Sequence, residues 1–569
     1  MAYDGITMHA VCRELNEKLM GARVEKIFQP KQQEVLLSLR TRDHTFTVLC
    51  SADARLPRVH LTQARQENPP TPPPFCMLLR KHLGGAKLLH IRQEAMERVL
   101  TLAFASYDDS GCETTKNLVC EIMGKHSNLI LTVAEEEGKW RILGSARAVT
   151  EKMSRHRVVL PGEIYLPPPA QHKLSLFTLD EEELAVALTG DVPPEQLVVR
   201  AVMGIGPEIA RELLFLAAGP ETLHPLEMVR SLTIKLRQLA DTVTAGKYAP
   251  CIVRSPDGHT NAFAPVLLSR FPAEWLTIYP TVNEMLDDYF VRTTRQLREE
   301  ELRNQLSSVA RAALARTEKK RHLQEKDLHD AQDADRYRLY GEMLTASFHL
   351  LKPGQKEAVV TNFYSPTQEP LLVPLDQARS PQENARRYFK KYRKLKDGAI
   401  VIKQRLEATS LEADYLESIL IALAHSDLDS LLEIQEEMEQ AGLLRASPPK
   451  KQRPQSSAPL RFISADSIEI LVGKNNRQND LLTQKTASPS DIWLHIKDYP
   501  GSHVIIRNAD PPERTLLEAA RLAVRYSKAA ASGKVPVDYT QVKHVRKPKG
   551  ARPGMVIYDH QSTLYVAAD

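Results

Sequence analysis

Residues 203–210 carry the sequence MGIGPEIA, and this stretch decides how the middle of the chain is expected to fold. Gly204 and Gly206 permit a tight, partly left-handed turn, and Pro207 suits the first position of a following helix. The pattern predicts a helix-hairpin-helix, in which free N–H groups at the start of the second helix hold a nucleic-acid phosphate. Because the motif is short, an ordinary glycine-rich turn between packed helices is the alternative.

The sequence on either side of this turn predicts a multidomain α+β protein. Before it, helices at 11–19 and 75–83 alternate with seven strand-like runs between residues 24 and 132. After it, two long charged helices show heptad-like apolar spacing. The first begins at Val282, and the second runs from Pro381 to Gln440. The predicted segments are a mixed α/β domain at 1–172, a helical helix-hairpin-helix domain at 173–278, a long antiparallel coiled coil at 279–445 with a small insertion near 350–380, a Pro/Ser/Lys linker at 446–460, and a C-terminal α/β domain at 461–569.

Composition excludes several classes of protein. A chain of 569 residues that is 42% hydrophobic and 26% charged is not disordered as a whole. No apolar run approaches the roughly 18 residues of a membrane span, and the first residues do not resemble a secretory signal. The six cysteines are scattered without a C-x-x-C pair, so we expect a reducing cytoplasm, no disulfide framework, no metal site and no cofactor.

The net charge of +5 hides an uneven distribution of cations. Residues 461–569 contain 16 Lys and Arg but 11 Asp and Glu, so this segment alone accounts for the excess. Within it, residues 543–552 hold five cations and no acid, and Pro and Gly make the stretch a loop that can follow a phosphate backbone. A merely soluble surface is the alternative. The candidate RNA contacts are Lys543, Arg546, Lys547, Lys549 and Arg552.

A second basic run lies at the start of the second long helix. Residues 386–396 hold seven cations without an acid, interleaved with Tyr388, Phe389 and Tyr392. A helical stripe of cations can neutralise RNA phosphates. The alternative is a solvated helix face whose aromatic residues pack within the coiled coil, which accounts for the aromatics. The candidate contacts are Arg386, Arg387, Lys390, Lys391, Arg393 and Lys394.

Motifs of the common catalytic sites are missing from the sequence. It contains no H-E-x-x-H, no G-x-S-x-G and no Walker loop. Glu97 and Arg98 lie between two predicted strands, where a weak ion pair is the simplest interpretation. From the residues alone we therefore predict no catalytic residue.

Several long motifs, in a fixed order, resemble the NFACT family, in particular its bacterial RqcH-type ribosome quality-control factors, also called fibronectin-binding protein A homologues. These motifs lie at 21–30, 73–82, 121–130, 160–168, 383–392, 491–503 and 537–545. The resemblance implies an NFACT-N domain like the N-terminal domain of formamidopyrimidine-DNA glycosylases, the helix-hairpin-helix, the coiled coil with its insertion, and an NFACT-R domain.

What the resemblance implies for function is a binding protein rather than an enzyme. Such proteins bind the large ribosomal subunit with its peptidyl-tRNA after a stalled ribosome has split. They recruit alanyl-tRNA, and alanines are added to the nascent chain without mRNA, which marks the chain for degradation. The ribosome forms the peptide bonds. A small RNA-binding helper protein is a further partner that the resemblance leaves open, and no membrane is involved.

The resemblance also assigns three residues to tRNA binding. An acidic residue followed by Arg matches Glu97 and Arg98, although the family usually has Asp at the first position. An early acidic residue of the family matches Asp4. Two alternatives are a fibronectin-binding surface adhesin, which the missing signal opposes, and a DNA glycosylase, which needs an N-terminal Pro where this chain has Ala2.

Overall fold

The computed structural model describes residues 3–107, 111–135, 138–218, 225–256, 260–445, 457–531 and 533–567. It divides into two compact units, Met1–Thr294 and Arg295–Asp569. Both contain helices and antiparallel sheets, which agrees with the predicted mixed α and β class. The bounds of the five predicted segments stay predictions, and residues 446–456 of the predicted linker lie outside the described residues.

A nine-stranded antiparallel sheet dominates the first unit. Its strands are β1 (Arg23–Lys31), β2 (Glu34–Arg40), β3 (Thr45–Ser51), β4 (Arg58–Leu61), β5 (Lys87–Gln93), β6 (Val99–Tyr107), β7 (Glu113–Glu121), β8 (Asn128–Ala134) and β9 (Trp140–Ser145). Their order is β4-β3-β2-β1-β5-β6-β7-β8-β9. Seven of them match the strand-like runs of the sequence. The sequence prediction missed β4 and β9, which form the two edges. Strand β4 has only four residues, and its buried Arg58 and His60 interrupt the apolar pattern.

Two helices, α1 (Gly5–Leu19) and α2 (Pro74–Leu83), cover this sheet. Leu15 of α1 and Leu79 of α2 are fully buried in the core that they share with the sheet. Helix α1 begins six residues before the predicted start, because the Asp4 carboxylate accepts a hydrogen bond from the Thr7 N–H and caps the helix. Such a cap contributes about 1 kcal/mol.

The rest of the first unit contains four helices and a small sheet. The helices are α3 (Glu181–Ala187), α4 (Pro194–Ala201), α5 (Pro207–Ala218) and α6 (Pro225–Ala245), and the strands are β10 (Cys251–Arg254), β11 (Thr260–Ala264) and β12 (Leu276–Ile278). Helices cover most of this segment, and the strands are elements that the sequence prediction did not include. They have three to five residues each, and Ile252 and Phe263 bury their side chains in the core of the large sheet. Tertiary packing therefore stabilises strands that are too short to show a pattern.

A helical arm with a small hairpin begins the second unit. Its elements are α7 (Val282–Gln332, which starts in the first unit), α8 (Ala334–Ala346), β13 (Glu357–Thr361), β14 (Pro370–Pro374), α9 (Pro381–His425) and α10 (Leu428–Gln440). Arg303 of α7 donates to the carbonyl of Leu423, whereas Gly341 of α8 lies against Phe389, so the chain directions are antiparallel as predicted. The second helix is not continuous, because Asp427 caps the separate helix α10. No helix in the described part of the chain is suited by length and apolarity to cross a membrane.

The C-terminal domain is a six-stranded antiparallel sheet with a helix on one face. Its elements are β15 (Leu460–Ile463), β16 (Glu469–Val472), α11 (Asn476–Leu481), β17 (Ile492–Ile496), β18 (Val504–Ile506), α12 (Glu513–Arg525), β19 (Val535–Gln541), β20 (Val545–Arg546), β21 (Ile557–Tyr558) and β22 (Ser562–Val566). The order is β15-β16-β18-β17-β19-β22, and β20 pairs with β21. Ala519 and Ala523 of α12 pack on one face, and Trp493 is buried on the other.

Polar side chains hold this domain against the arm. Asn476 donates to Ser418 of α9 at 2.9 Å and to the Glu437 carboxylate of α10 at 3.0 Å. Lys474 forms an ion pair of 2.9 Å with Asp427. Because these groups are mostly buried, each needs its partner, and the contact therefore fixes one arrangement of the domain on the arm.

Candidate nucleic-acid interface

A cavity of about 200 Å³ in the first unit lies where the turn between β5 and β6 meets the turn between α4 and α5. The structure brings to this cavity the three residues that the resemblance assigns to tRNA and the two glycines that the turn motif assigns to a phosphate. These residues are Asp4, Glu97, Arg98, Gly204 and Gly206.

Asp4 joins the start of α1 to the turn between α4 and α5. One carboxylate oxygen accepts hydrogen bonds from the N–H and the hydroxyl of Thr7, both at 2.8 Å. The other accepts from the Gly206 N–H at 2.9 Å. The side chain is only 5% exposed, and burial raises the pKa of Asp4 to about 6 against the opposing effect of these bonds and of Arg98. Asp4 therefore positions the turn that contains Gly206.

Both glycines of the MGIGPEIA turn are required, Gly204 by its backbone conformation and Gly206 by its closeness to Asp4. Gly204 has φ +83°, and a Cβ at Gly206 would lie 2.7 Å from the Asp4 carboxylate. The carbonyl of Gly204 also accepts the Ile6 N–H at 3.1 Å. The Gly206 N–H, which the sequence assigned to a phosphate, is therefore occupied by Asp4, and a phosphate contact at this donor stays a prediction that requires Asp4 to be displaced.

The turn that carries Glu97 and Arg98 is built without glycine. Ala95 and Met96 have φ of 40° and 61°, a region that costs roughly 1–2 kcal/mol per residue for side chains other than glycine. The Gln93 amide supports the turn by donating to the carbonyls of Gly5 and Glu97 at 2.9 and 2.8 Å. This strain is maintained where the turn presents a charged pair to a cavity.

Lys173 and Gln171 complete the charge arrangement of the cavity. Gln171 donates to the Glu97 carboxylate at 2.9 Å. Burial lowers the pKa of Lys173 and the charge of Arg98 lowers it further, whereas Glu97 raises it. Burial also lowers the pKa of Arg98, opposed by Asp4 and Glu97. The cavity is therefore lined by two cations, Arg98 and Lys173, together with two carboxylates, Asp4 and Glu97. The sequence prediction missed Lys173 and Gln171 because they follow a Pro-rich stretch without a motif of their own.

The basic run of α9 lies on an exposed helix surface rather than in a cavity. All six candidate side chains are exposed. Two of them contact protein groups, since Arg387 pairs with Asp376 at 3.1 Å and Lys391 lies 3.9 Å from the ring centre of Tyr337. Tyr388 stacks on Tyr337 of α8, as the packing interpretation of the aromatics predicts. The cations therefore form an open surface on a packed helix.

The C-terminal basic run is divided by the fold. Three of its cations have acidic partners, Arg546 with Asp559, Lys547 with Asp480, and Arg552 with Glu412 of α9. Lys543 and Lys549 are exposed, and neither forms an ion pair within the described residues. The five cations that the sequence treated as one RNA surface thus have unequal access to a ligand.

One cluster could hold a metal ion by residue type. Ligand atoms of His544, Asp559 and His560 lie within 4.8 Å of one another. Asp559 already accepts hydrogen bonds from the His560 ring and from Arg546, at 2.8 and 2.6 Å. The positive guanidinium opposes a bound cation, so the cluster gives no support for a metal centre.

Two family models match the chain, "NFACT N-terminal and middle domains" at residues 4–457 and "NFACT protein RNA binding domain" at residues 459–559. The chain belongs to the NFACT family.

Known relatives match either the whole chain or a part of it. It is 35% identical to "Rqc2 homolog RqcH" of Bacillus subtilis (strain 168), over 100% of this chain and 98% of that protein. It is 26% identical to "Ribosome quality control complex subunit NEMF" of Mus musculus, over 37% of this chain and 19% of that protein. A solved structure of the N-terminal part of the fibronectin/fibrinogen-binding protein from Streptococcus suis covers 51% of this chain and 99% of its own, at 28% identity and a TM-score of 0.42.

Proposed function

We propose that this protein acts on ribosomes in the cytoplasm as a quality-control factor. It binds large subunits that carry peptidyl-tRNA, recruits alanyl-tRNA, and directs the addition of alanines to the stalled nascent chain without mRNA. The observation that carries the proposal is the full-length identity to a relative named Rqc2 homolog RqcH.

In this proposal the protein positions RNA and the ribosome forms the peptide bonds. Arg98 and Lys173 contact tRNA phosphate at the cavity, and Asp4 and Glu97 orient them. The exposed cations of α9 and of the C-terminal loop add contacts to RNA backbone that do not depend on base sequence. The small RNA-binding helper protein is left out, because neither the relatives' names nor the described residues point to one.

The test is alanine tailing of a stalled reporter in cells that contain only the variant protein. Arg98→Ala should reduce tailing by at least about tenfold, because the loss of a charged contact to phosphate costs roughly 1.5–3 kcal/mol. Large-subunit binding, measured by co-sedimentation, should persist.

Arg23→Ala is the matched control. Arg23 is an exposed arginine of β1 in the same unit, and it donates only to the Gly85 carbonyl. It should tail as well as the wild type. Retained tailing by Arg98→Ala would remove Arg98 from the site, and the absence of large subunits from the wild-type sediment would refute the proposed function itself.

A further inference from the structure

A second cavity, of about 440 Å³, lies in the second unit between α9 and the C-terminal domain. This volume is in the range of pockets that hold small organic groups. Asp414 and Tyr415 line it from α9, and His495, Asp498, Tyr499 and Tyr558 line it from the C-terminal domain. None of these residues belongs to the cavity around Arg98.

The turn after β17 presents two side chains at the mouth of this cavity. Asp498 has φ 61°, in the left-handed region that aspartate tolerates in tight turns. Tyr499, the next residue, is 44% exposed. Within the described residues, neither side chain takes part in a hydrogen bond or an ion pair. An exposed aromatic ring of this kind is suited to stack on a flat ligand.

The floor of the cavity is aromatic and rigid. The His495 ring stacks on the buried Trp493 with ring centres 5.7 Å apart and planes 13° apart. The Tyr558 hydroxyl donates to the Asp538 carboxylate at 2.9 Å. Burial lowers the pKa of His495, so its ring is neutral at pH 7 and adds no positive charge. The cavity therefore offers rings for stacking without reorganisation.

The charges around the cavity determine the orientation of a bound nucleotide. Asp414 and Asp498 are carboxylates, which accept hydrogen bonds and repel a phosphate. The cations lie outside the lining residues, with Arg552 placed 4.5 Å from the ring centre of Tyr415 and Lys549 exposed on the same loop. A nucleotide is thus accommodated with its base in the cavity and its phosphate on the basic loop.

We infer that this cavity binds the base of an unpaired RNA nucleotide, stacked on Tyr499, with guanine preferred. Guanine presents two adjacent N–H donors on its Watson–Crick edge, and a carboxylate such as that of Asp498 accepts both. Unpaired bases are the parts of an RNA that proteins take up by stacking on aromatic side chains. The inference rests on the proposed RNA-binding function and gives it a defined contact.

The experiment measures binding of a short labelled uridine oligomer with one central guanosine to the full-length protein. The wild type should bind it about tenfold more tightly than the oligomer of uridine alone. Tyr499→Ala should weaken guanosine-oligomer binding by about tenfold or more, the effect of losing one base–aromatic stack. Asp498→Asn should remove the preference for guanine. Tyr565→Ala, at a tyrosine that is 69% exposed on β22 and does not line the cavity, should bind as the wild type does.

Two outcomes would overturn the inference. One is equal binding of both oligomers, or wild-type binding by Tyr499→Ala while its thermal unfolding is unchanged. The other is binding of free guanosine monophosphate as tight as that of the oligomer, which would make the cavity a mononucleotide site. Co-sedimentation of Tyr499→Ala with large subunits distinguishes a failure of the base-binding inference from a failure of the proposed function. It reports on ribosome binding independently of the oligomer.

Discussion

The Arg98 cavity and the basic face of α9 carry charge in opposite ways. Around Arg98, two cations and two carboxylates are partly or fully buried. The Asp4 carboxylate accepts the Gly206 N–H, and the Glu97 carboxylate accepts a hydrogen bond from Gln171. On α9, the cations of residues 386–394 are exposed on a helix surface. The first arrangement depends on exact placement and the second on the number of charges.

This difference sets how each region should respond to change. A buried pair that loses one member leaves the other without compensation, so a single substitution has a large effect. Exposed cations contribute small, additive and salt-dependent amounts. The two regions can therefore be distinguished by the size of the effect and by its dependence on salt.

The largest effect is expected at Gly206, where the turn leaves no space for a side chain. A Cβ there would lie 2.7 Å from the Asp4 carboxylate, so Gly206→Ala must displace Asp4 and the turn. We expect a loss of roughly 1–3 kcal/mol in the free energy of unfolding and at least tenfold weaker tRNA binding. Thermal unfolding and tRNA titration measure the two effects.

Gly398→Ala in α9 is the contrasting variant. A Cβ at Gly398 would meet no atom within 4 Å, and alanine favours a helix interior over glycine by about 0.5–1 kcal/mol. It should stabilise the protein slightly and leave tRNA binding unchanged. If both variants behaved alike, the distinction between the packed turn and the open helix would be wrong.

An intermediate effect is expected from the α9 cations as a group. Replacing Arg386, Lys390 and Arg393 by Gln removes three exposed charges from one helix face. Ribosome affinity should fall, and the slope of log affinity against log salt should become less steep by about two to three. The measurement is large-subunit binding over a series of salt concentrations.

The matched control removes three exposed cations from α7 of the same arm, Arg311, Arg316 and Lys320. Both triple variants change the net charge equally. An equal change of slope in both would show that only net charge matters and that α9 is no RNA surface.

The smallest effect is a dependence on pH that belongs to Asp4. Its pKa of about 6 lies above the value near 3.9 of an unfolded Asp, so the folded protein binds the proton more tightly. The stability that Asp4 contributes is therefore complete below about pH 4 and is lost as the pH rises through about 6. The unfolding temperature of the wild type relative to Asp4→Asn should be higher at about pH 5 than at about pH 7.5. Arg386→Gln, which removes no carboxyl group, should show the same difference from wild type at both pH values.

Much of the fold could be predicted where the residues of an element carry its pattern. Strand β2, with a nearly continuous apolar run, has the predicted bounds, Glu34–Arg40. Helix α9 begins at the predicted Pro381 but ends at His425, 15 residues before the predicted Gln440. The start of α1 was missed because its cause is one hydrogen bond to Asp4 rather than a periodic pattern. Strand β10 was missed because its partners, β11 and β12, are brought to it only by tertiary packing.

Individual residues of the candidate site could be predicted from the sequence, but their positions relative to one another could not. Motif and resemblance supplied Asp4, Arg98 and Gly206, and nothing in the sequence indicates that these distant positions share a cavity. Lys173 gives no signal, because a lone lysine is most often a solvated residue. In the C-terminal loop, the ion pair of Arg552 with Glu412 depends on how the domain packs on α9, which local sequence does not specify.

The most direct test of the central claim is sequencing of the RNA that co-purifies with the tagged protein, compared between wild type and Arg98→Ala. We expect large-subunit rRNA with both proteins, and tRNA enriched in alanine acceptors with the wild type alone. Alanine tRNA recovered equally with Arg98→Ala, or wild-type protein without any enrichment of tRNA, would contradict the central claim.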